Sequence, residues 1–405
     1  MQFILSTFSK RAGVLLCLTA FLGAAGFVSG PAYGKPKITK GDAAIAKRSA
    51  KSYIKLRVVD KAIAQLKIAL EGNPNDMEVR FLLGQLYSDK SRPDEMKAEF
   101  DLVLADKKGK RKYGKKISPF MMMWWQRNYN TGVKAIGAQD FGAAVEAMQK
   151  AVLFDPDKAL TYKGLGVAYL NMGQTQAGID SYIKAIDLDD KDPSAYVNLG
   201  RAYMNSDKPE DAKTCFMKAH EMKPDNVSYL RDLANAQQRL KDTAGALKTS
   251  EKALALDPEN LDILTMAGQT YLIGENFQRA SELLEKVVAQ QPDNTDALYN
   301  LAASYKALGN FDKAVTLFEK TVESHPKDHE AWYNLGRIYD EQNKMAEAVQ
   351  ALQMVVDLKP TSVNGWMALS RAYARKSQTE SGSTASESAK KAQEAFNMAE
   401  SLQGN

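Results

Sequence analysis

Five prolines recur at a fixed interval of 34 residues, Pro224, Pro258, Pro292, Pro326 and Pro360, and nothing else in the chain constrains its fold as strongly. A strict period of this length marks an array of supersecondary units, each able to bury its apolar face only against its neighbours. Such a chain grows in one dimension. Its 405 residues therefore need not imply several independent cores.

The same residue types return at the same positions of each unit. In the unit from His329 to Ser362, Trp332, Leu335, Gly336 and Tyr339 are followed by Ala348 and Pro360. The eighth position is glycine at 132, 166, 200, 268 and 336, with Ala234, Ala302 and Ser370 as small substitutes. Tyrosine fills the eleventh position at 169, 203, 271, 305, 339 and 373, and alanine the twentieth at 144, 212, 246, 280, 314 and 348. Apolar residues at helical spacing, Tyr299, Leu301, Ala302 and Tyr305 and then Ala314, Val315, Leu317, Phe318 and Val322, predict two amphipathic helices per unit. The stretch 307–311 reads as a stop and a restart, and the proline closes the second helix.

This spacing resembles the tetratricopeptide repeat, departing only at the late aromatic position, Leu352. The resemblance implies an all-α solenoid of about ten 34-residue helix-turn-helix repeats forming a right-handed superhelix. Eight consecutive units span residues 125–405, and two divergent ones cover 43–110. Two interruptions break the frame. One is a basic and aromatic insertion at 111–124; the other is a Ser-rich, mobile insertion at about 377–388 in the last unit.

At the amino end, Lys10 and Arg11 precede an uncharged stretch, residues 12–34, whose apolar centre runs from Val14 to Val28. Residues 1–34 thus read as a signal peptide with small residues at 32 and 34, placing the protein in a bacterial periplasm or envelope. The alternative is an inner-membrane anchor retained through residues 12–34. Only Cys215 lies outside that stretch, so no internal disulfide is expected in a processed chain.

In the family it resembles, first helices line a concave face that holds extended or helical peptides. The corresponding positions here are the second, fifth, sixth, ninth and thirteenth. Asn130, Asn198, Asn300 and Asn334 share the sixth, where a side-chain amide can both donate to and accept from a peptide backbone. Arg201, Arg337 and Arg371 share the ninth, and Arg231 stands in a fifth, a seam able to hold carboxylates. The alternative is an ordinary solvated helix face, its arginines paired with Glu330, Asp340 and Glu341.

Charge is unevenly spread: 23 Lys and Arg against 11 Asp and Glu through Trp124, then 31 against 38. Lys107, Lys108, Lys110, Arg111, Lys112, Lys115 and Lys116 precede an apolar run ending in Trp124 and Trp125, a combination that can contact an anionic membrane surface. The competing reading lets residues 120–125 extend the next first helix and pack, with the lysines solvated. His325 and His329 straddle Pro326 and make a poor metal pair, and no nucleophile motif or phosphate-binding glycine loop is present. These readings point to a non-catalytic scaffold or adaptor for a protein or peptide partner, without cofactor, metal or nucleic acid. Two alternatives are an envelope-assembly factor for polysaccharide, pilus or outer-membrane components, and a membrane-anchored regulatory subunit of an enzyme on another chain.

Overall fold

The computed structural model describes residues 37–403, so the signal or anchor expected over 1–34 lies outside them. Its elements are all helices, in consecutive pairs: α1 (Lys40–Lys55) and α2 (Val59–Gly72), α3 (Met77–Asp89) and α4 (Pro93–Ala105), α5 (Lys107–Gly137) and α6 (Phe141–Phe154), α7 (Ala159–Asn171) and α8 (Thr175–Leu188), α9 (Pro193–Asn205) and α10 (Pro209–Met222). The remaining pairs are α11 (Val227–Arg239) and α12 (Thr243–Leu256), α13 (Leu261–Ile273) and α14 (Phe277–Gln290), α15 (Thr295–Ala307) and α16 (Phe311–Ser324), α17 (His329–Glu341) and α18 (Met345–Leu358), α19 (Val363–Thr379) and α20 (Gly382–Gln403). Two compact units divide the chain, one ending at Ile117 and the other beginning at Ser118.

Local chemistry sets each helix end. First helices other than α7, which follows Lys158, start on a side chain that accepts orphan backbone N–H groups, as Asp76 does from Glu78 and Val79, Asn294 from Ala297, and Asp328 from Glu330 and Ala331. Each such cap stabilises by about 1 kcal/mol. The turn inside the hairpin is equally regular. Its fifteenth position has positive φ at Arg57, Ser91, Gln139, Gly173, Asp207, Lys241, Glu275, Gly309 and Asn343. Holding a non-glycine residue there costs about 1 kcal/mol. That strain lets the next N–H reach back to the eleventh residue's carbonyl, as Asn310 donates to Tyr305 and Lys344 to Tyr339, both at 2.8 Å.

Close approach of the two helices explains the small eighth position. A Cβ on Gly200 would lie 2.6 Å from the Phe216 ring, one on Gly166 2.7 Å from Tyr182, and one on Gly336 2.6 Å from Leu352. The late position must fill that notch, and Leu352 does so as completely as Phe216. Bulk rather than aromaticity is required. In the second unit one apolar core runs from Leu264 to Ala395 across successive hairpins, and each fully buried Phe such as Phe318 contributes about 2–3 kcal/mol.

Both interruptions differ from expectation. The basic insertion is no separate segment: α5 starts at Lys107, so Lys107 to Lys110 leave the second repeat and residues 111–124 are helix. Tyr113 stacks on Phe81, with ring centroids 4.6 Å apart, covering the second hairpin's open apolar face. The Ser-rich insertion is not a loose loop either. It lengthens α19 and α20, the turn moves to Gly382 with φ of 63°, and Ser388 is buried, donating to Glu380.

Candidate peptide-binding groove

In the second unit the first helices touch one another, α9 on α11, α11 on α13, α13 on α15, α15 on α17 and α17 on α19. The second, fifth, sixth and ninth positions of neighbouring repeats therefore adjoin along one face. Between α15, α17 and α19 that face sinks into a pocket of about 250 Å³, lined by Tyr299, His329, Glu330, Tyr333, Asn334, Lys359 and Asn364 among others.

Of the four asparagines at the sixth position, Asn334 is the one in this pocket, but its amide is already engaged. It donates to the Tyr299 hydroxyl and to the Glu330 carbonyl, each at 3.0 Å, and accepts from Lys306 Nζ at 2.8 Å. Its role is to orient Tyr299. That hydroxyl accepts from Asn334 and keeps its own hydrogen available to donate into the pocket. Burial first, and the Glu330 charge second, raise the Tyr299 phenol's pKa and keep it protonated. Lys306 moves the opposite way for an ammonium: burial lowers its pKa. Asn130 accepts from Gln126 at 2.8 Å, whereas the half-buried side chains of Asn198 and Asn300 carry no hydrogen bond among the described residues.

The arginine seam resolves largely into ties between repeats; of the three acids expected beside it, Asp340 and Glu341 are met, whereas Asp232 and Asp262 were not among them. Arg201 bonds Asp232 at 2.7 Å, and Arg231 reaches both Asp232 at 3.5 Å and Asp262 at 3.3 Å. Arg371 and Arg375 converge on Asp340, at 3.6 and 2.5 Å. Asp232 and Asp340 are buried carboxylates, and burial demands such partners. Arg337 is the exception. It contacts Glu341 only at 3.8 Å, and its buried Nε has no hydrogen-bond partner among the described residues.

Profiles of the tetratricopeptide repeat match residues 48–104 and 301–363, 237–305 and 272–328, and 161–192 and 193–226. The chain belongs to the tetratricopeptide repeat family. Tetratricopeptide repeat proteins are interaction scaffolds that bind protein or peptide partners. No curated protein matches the sequence. Among solved structures it is similar to a tetratricopeptide repeat protein from Parabacteroides merdae, at 19% identity over 61% of this chain and 99% of that one, with a TM-score of 0.48. It is also similar to YrrB, a tetratricopeptide repeat protein with an unusual peptide-binding site, at 24% identity, 46% and 96% coverage and a TM-score of 0.41. MamA from Desulfovibrio magneticus RS-1 stands at 22%, 43% and 97%, and 0.40.

The residues expected at an anionic surface separate within this tetratricopeptide repeat protein. Lys108, Lys110, Arg111, Lys112, Lys115 and Lys116 are exposed, but Trp124 and Trp125 are only 6% and 5% accessible. Trp124 stacks on Phe154, and Trp125 Nε1 donates to the buried Thr161 hydroxyl at 2.9 Å, so neither indole can meet a surface. Packing claims them because they prolong the first helix of the third repeat. Sequence reasoning passed over Tyr299 and Tyr333 as site residues. The signal was present: tyrosine at the fifth position of two adjacent repeats, where a core assignment is not required. Among the described residues, no group of three or more His, Cys, Asp or Glu is placed to hold a metal ion, and no helix is long and apolar enough to cross a membrane.

Proposed function

We propose that the second unit is an adaptor that holds an extended segment of a partner protein along its first helices. The pocket bounded by Tyr299, Tyr333 and Asn364 is its anchoring point. The observation that carries this reading is that pocket's chemistry: two tyrosine rings for an apolar side chain, and a hydroxyl hydrogen from Tyr299 to donate to a peptide carbonyl. Asn300 and Asn198, unpartnered among the described residues, supply further amides for a peptide backbone.

Export to a bacterial envelope fits the charged, then apolar, amino-terminal sequence, and the adaptor would act there. The uncharged length of residues 12–34 also favours a second arrangement, in which the retained segment anchors the array as a subunit of an envelope assembly or of an enzyme on another chain. Intact-mass measurement of the native protein separates the two.

A photo-crosslinking residue placed at Tyr333 or Asn300 in native cells should capture one shared partner by mass spectrometry. The same residue at Glu323, which adjoins Trp332 and Tyr339 in a different groove, should not. Equal capture from Glu323, or none from Tyr333, would discard the reading.

A further inference from the structure

The front of α5 is a basic stripe that finds no carboxylate partner among the described residues; its one aromatic contact is Lys112 Nζ, 5.2 Å from the centre of the Tyr113 ring. Gly109, Tyr113 and Ile117, four residues apart, are buried, which turns Lys108, Arg111, Lys112 and Lys115 to the opposite, exposed side. None of the seven cations from Lys107 to Lys116 lies within ion-pair distance of a carboxylate among the described residues. The acids nearest in sequence are occupied: Asp101 pairs with Lys97, and Asp106 caps the N–H of Gly109 at 2.7 Å. Like charges at spacings of three and four residues destabilise a helix, so the stripe works against its own element unless an anionic surface compensates it.

We propose that this face docks the first unit on an anionic lipid bilayer. Four cations on one face of the helix, within two turns and ahead of Pro119, meet a flat negative surface together, each adding to the attraction. The aromatic side chain of this stretch, Tyr113, is buried against Phe81, leaving no exposed ring on which single-stranded nucleic acid could stack. The buried side of the helix is committed to the protein core, so the contact is electrostatic and lies on the headgroups without inserting. The sequence adds an independent reason for lipid: the uncharged stretch ending at residue 34 stops only a few residues before α1 begins at Lys40. A weak polybasic contact becomes durable when joined to a second membrane signal.

The test uses the full chain, sedimented with phosphatidylcholine vesicles with and without phosphatidylglycerol, at low and high salt. Retention should depend on phosphatidylglycerol and be reversed by salt. The Lys108→Gln, Arg111→Gln, Lys112→Gln, Lys115→Gln variant should lose at least about thirtyfold in apparent affinity, with helical circular dichroism and melting unchanged. A control with Arg48→Gln, Lys55→Gln, Arg57→Gln and Lys67→Gln, equal in charge and elsewhere in the same unit, should bind as the parent does. Three results overturn the proposal: retention equal on both vesicle types and insensitive to salt; equal loss in the control, which would make net charge the cause; and tighter binding of a single-stranded oligonucleotide or heparin than of the anionic vesicles.

Discussion

The Tyr339 hydroxyl donates to Glu319 Oε1 at 2.6 Å, tying the first helix of one repeat to the second helix of the repeat before it. Tyr305 makes the same bond to Glu285, and Tyr271 makes it to Glu251 at 3.2 Å. At Tyr169 the partner is Gln149, which donates to the hydroxyl at 3.0 Å. The recurring tyrosine therefore does more than fill space. Its backbone carbonyl closes the turn within a hairpin while its hydroxyl fixes the register between hairpins.

Tyr339→Phe keeps the ring and removes that tie, and should cost about 1–2 kcal/mol in urea unfolding followed by circular dichroism. Burial, and then the bond to Glu319, raise the phenol's pKa. A raised phenol pKa means the contribution is full below the unfolded value near about 10 and is lost as pH climbs beyond it. The gap between parent and variant should accordingly narrow in strong alkali.

Gly200→Ala should destabilise by about 1–3 kcal/mol, because its methyl group would meet the rigid, fully buried Phe216 ring at 2.6 Å. Gly142→Ala is the contrast. Its nearest neighbour would be 3.8 Å away, so the better helix propensity of alanine should stabilise by up to about 1 kcal/mol. Thermal melting of both variants checks the pair.

Asp340 is 3% exposed, and its attachment to Arg375 is the stronger of its two. Arg375→Met should cost about 3 kcal/mol by leaving a buried carboxylate underpaired, while Arg371→Met, at a side chain 60% exposed, should cost less than about 1. In a double-mutant cycle, adding Asp340→Asn should recover much of the Arg375→Met loss.

In the first unit, hydrogen bonds from Lys51 and then Lys47 lower the Glu78 carboxyl to about 2. A depressed carboxyl pKa gives stability that is complete above the ordinary value of 4.5 and disappears as pH falls towards about 2. With the carboxylate side chain 34% exposed, solvent screening limits the effect to about 1 kcal/mol. Glu78→Gln should differ from the parent by that amount at pH 6 and match it near pH 2 in denaturant titrations.

The period of the prolines, the small eighth position and the tyrosine at the eleventh were enough to determine helical hairpins, their number and their phase. These are nearest-neighbour requirements, repeated in every unit, and a repeated requirement can be read without knowing where the chain goes. The fate of individual polar and aromatic side chains is a different matter, since it depends on what the next repeat places beside them. Only the tertiary structure decided that a buried Asp232 holds Arg201 of the repeat before it, that Asn334 orients Tyr299, and that Trp124 and Trp125 are interior. It also turned two apparent insertions into helix, because Tyr113 and Ser388 find buried partners that linear spacing does not reveal.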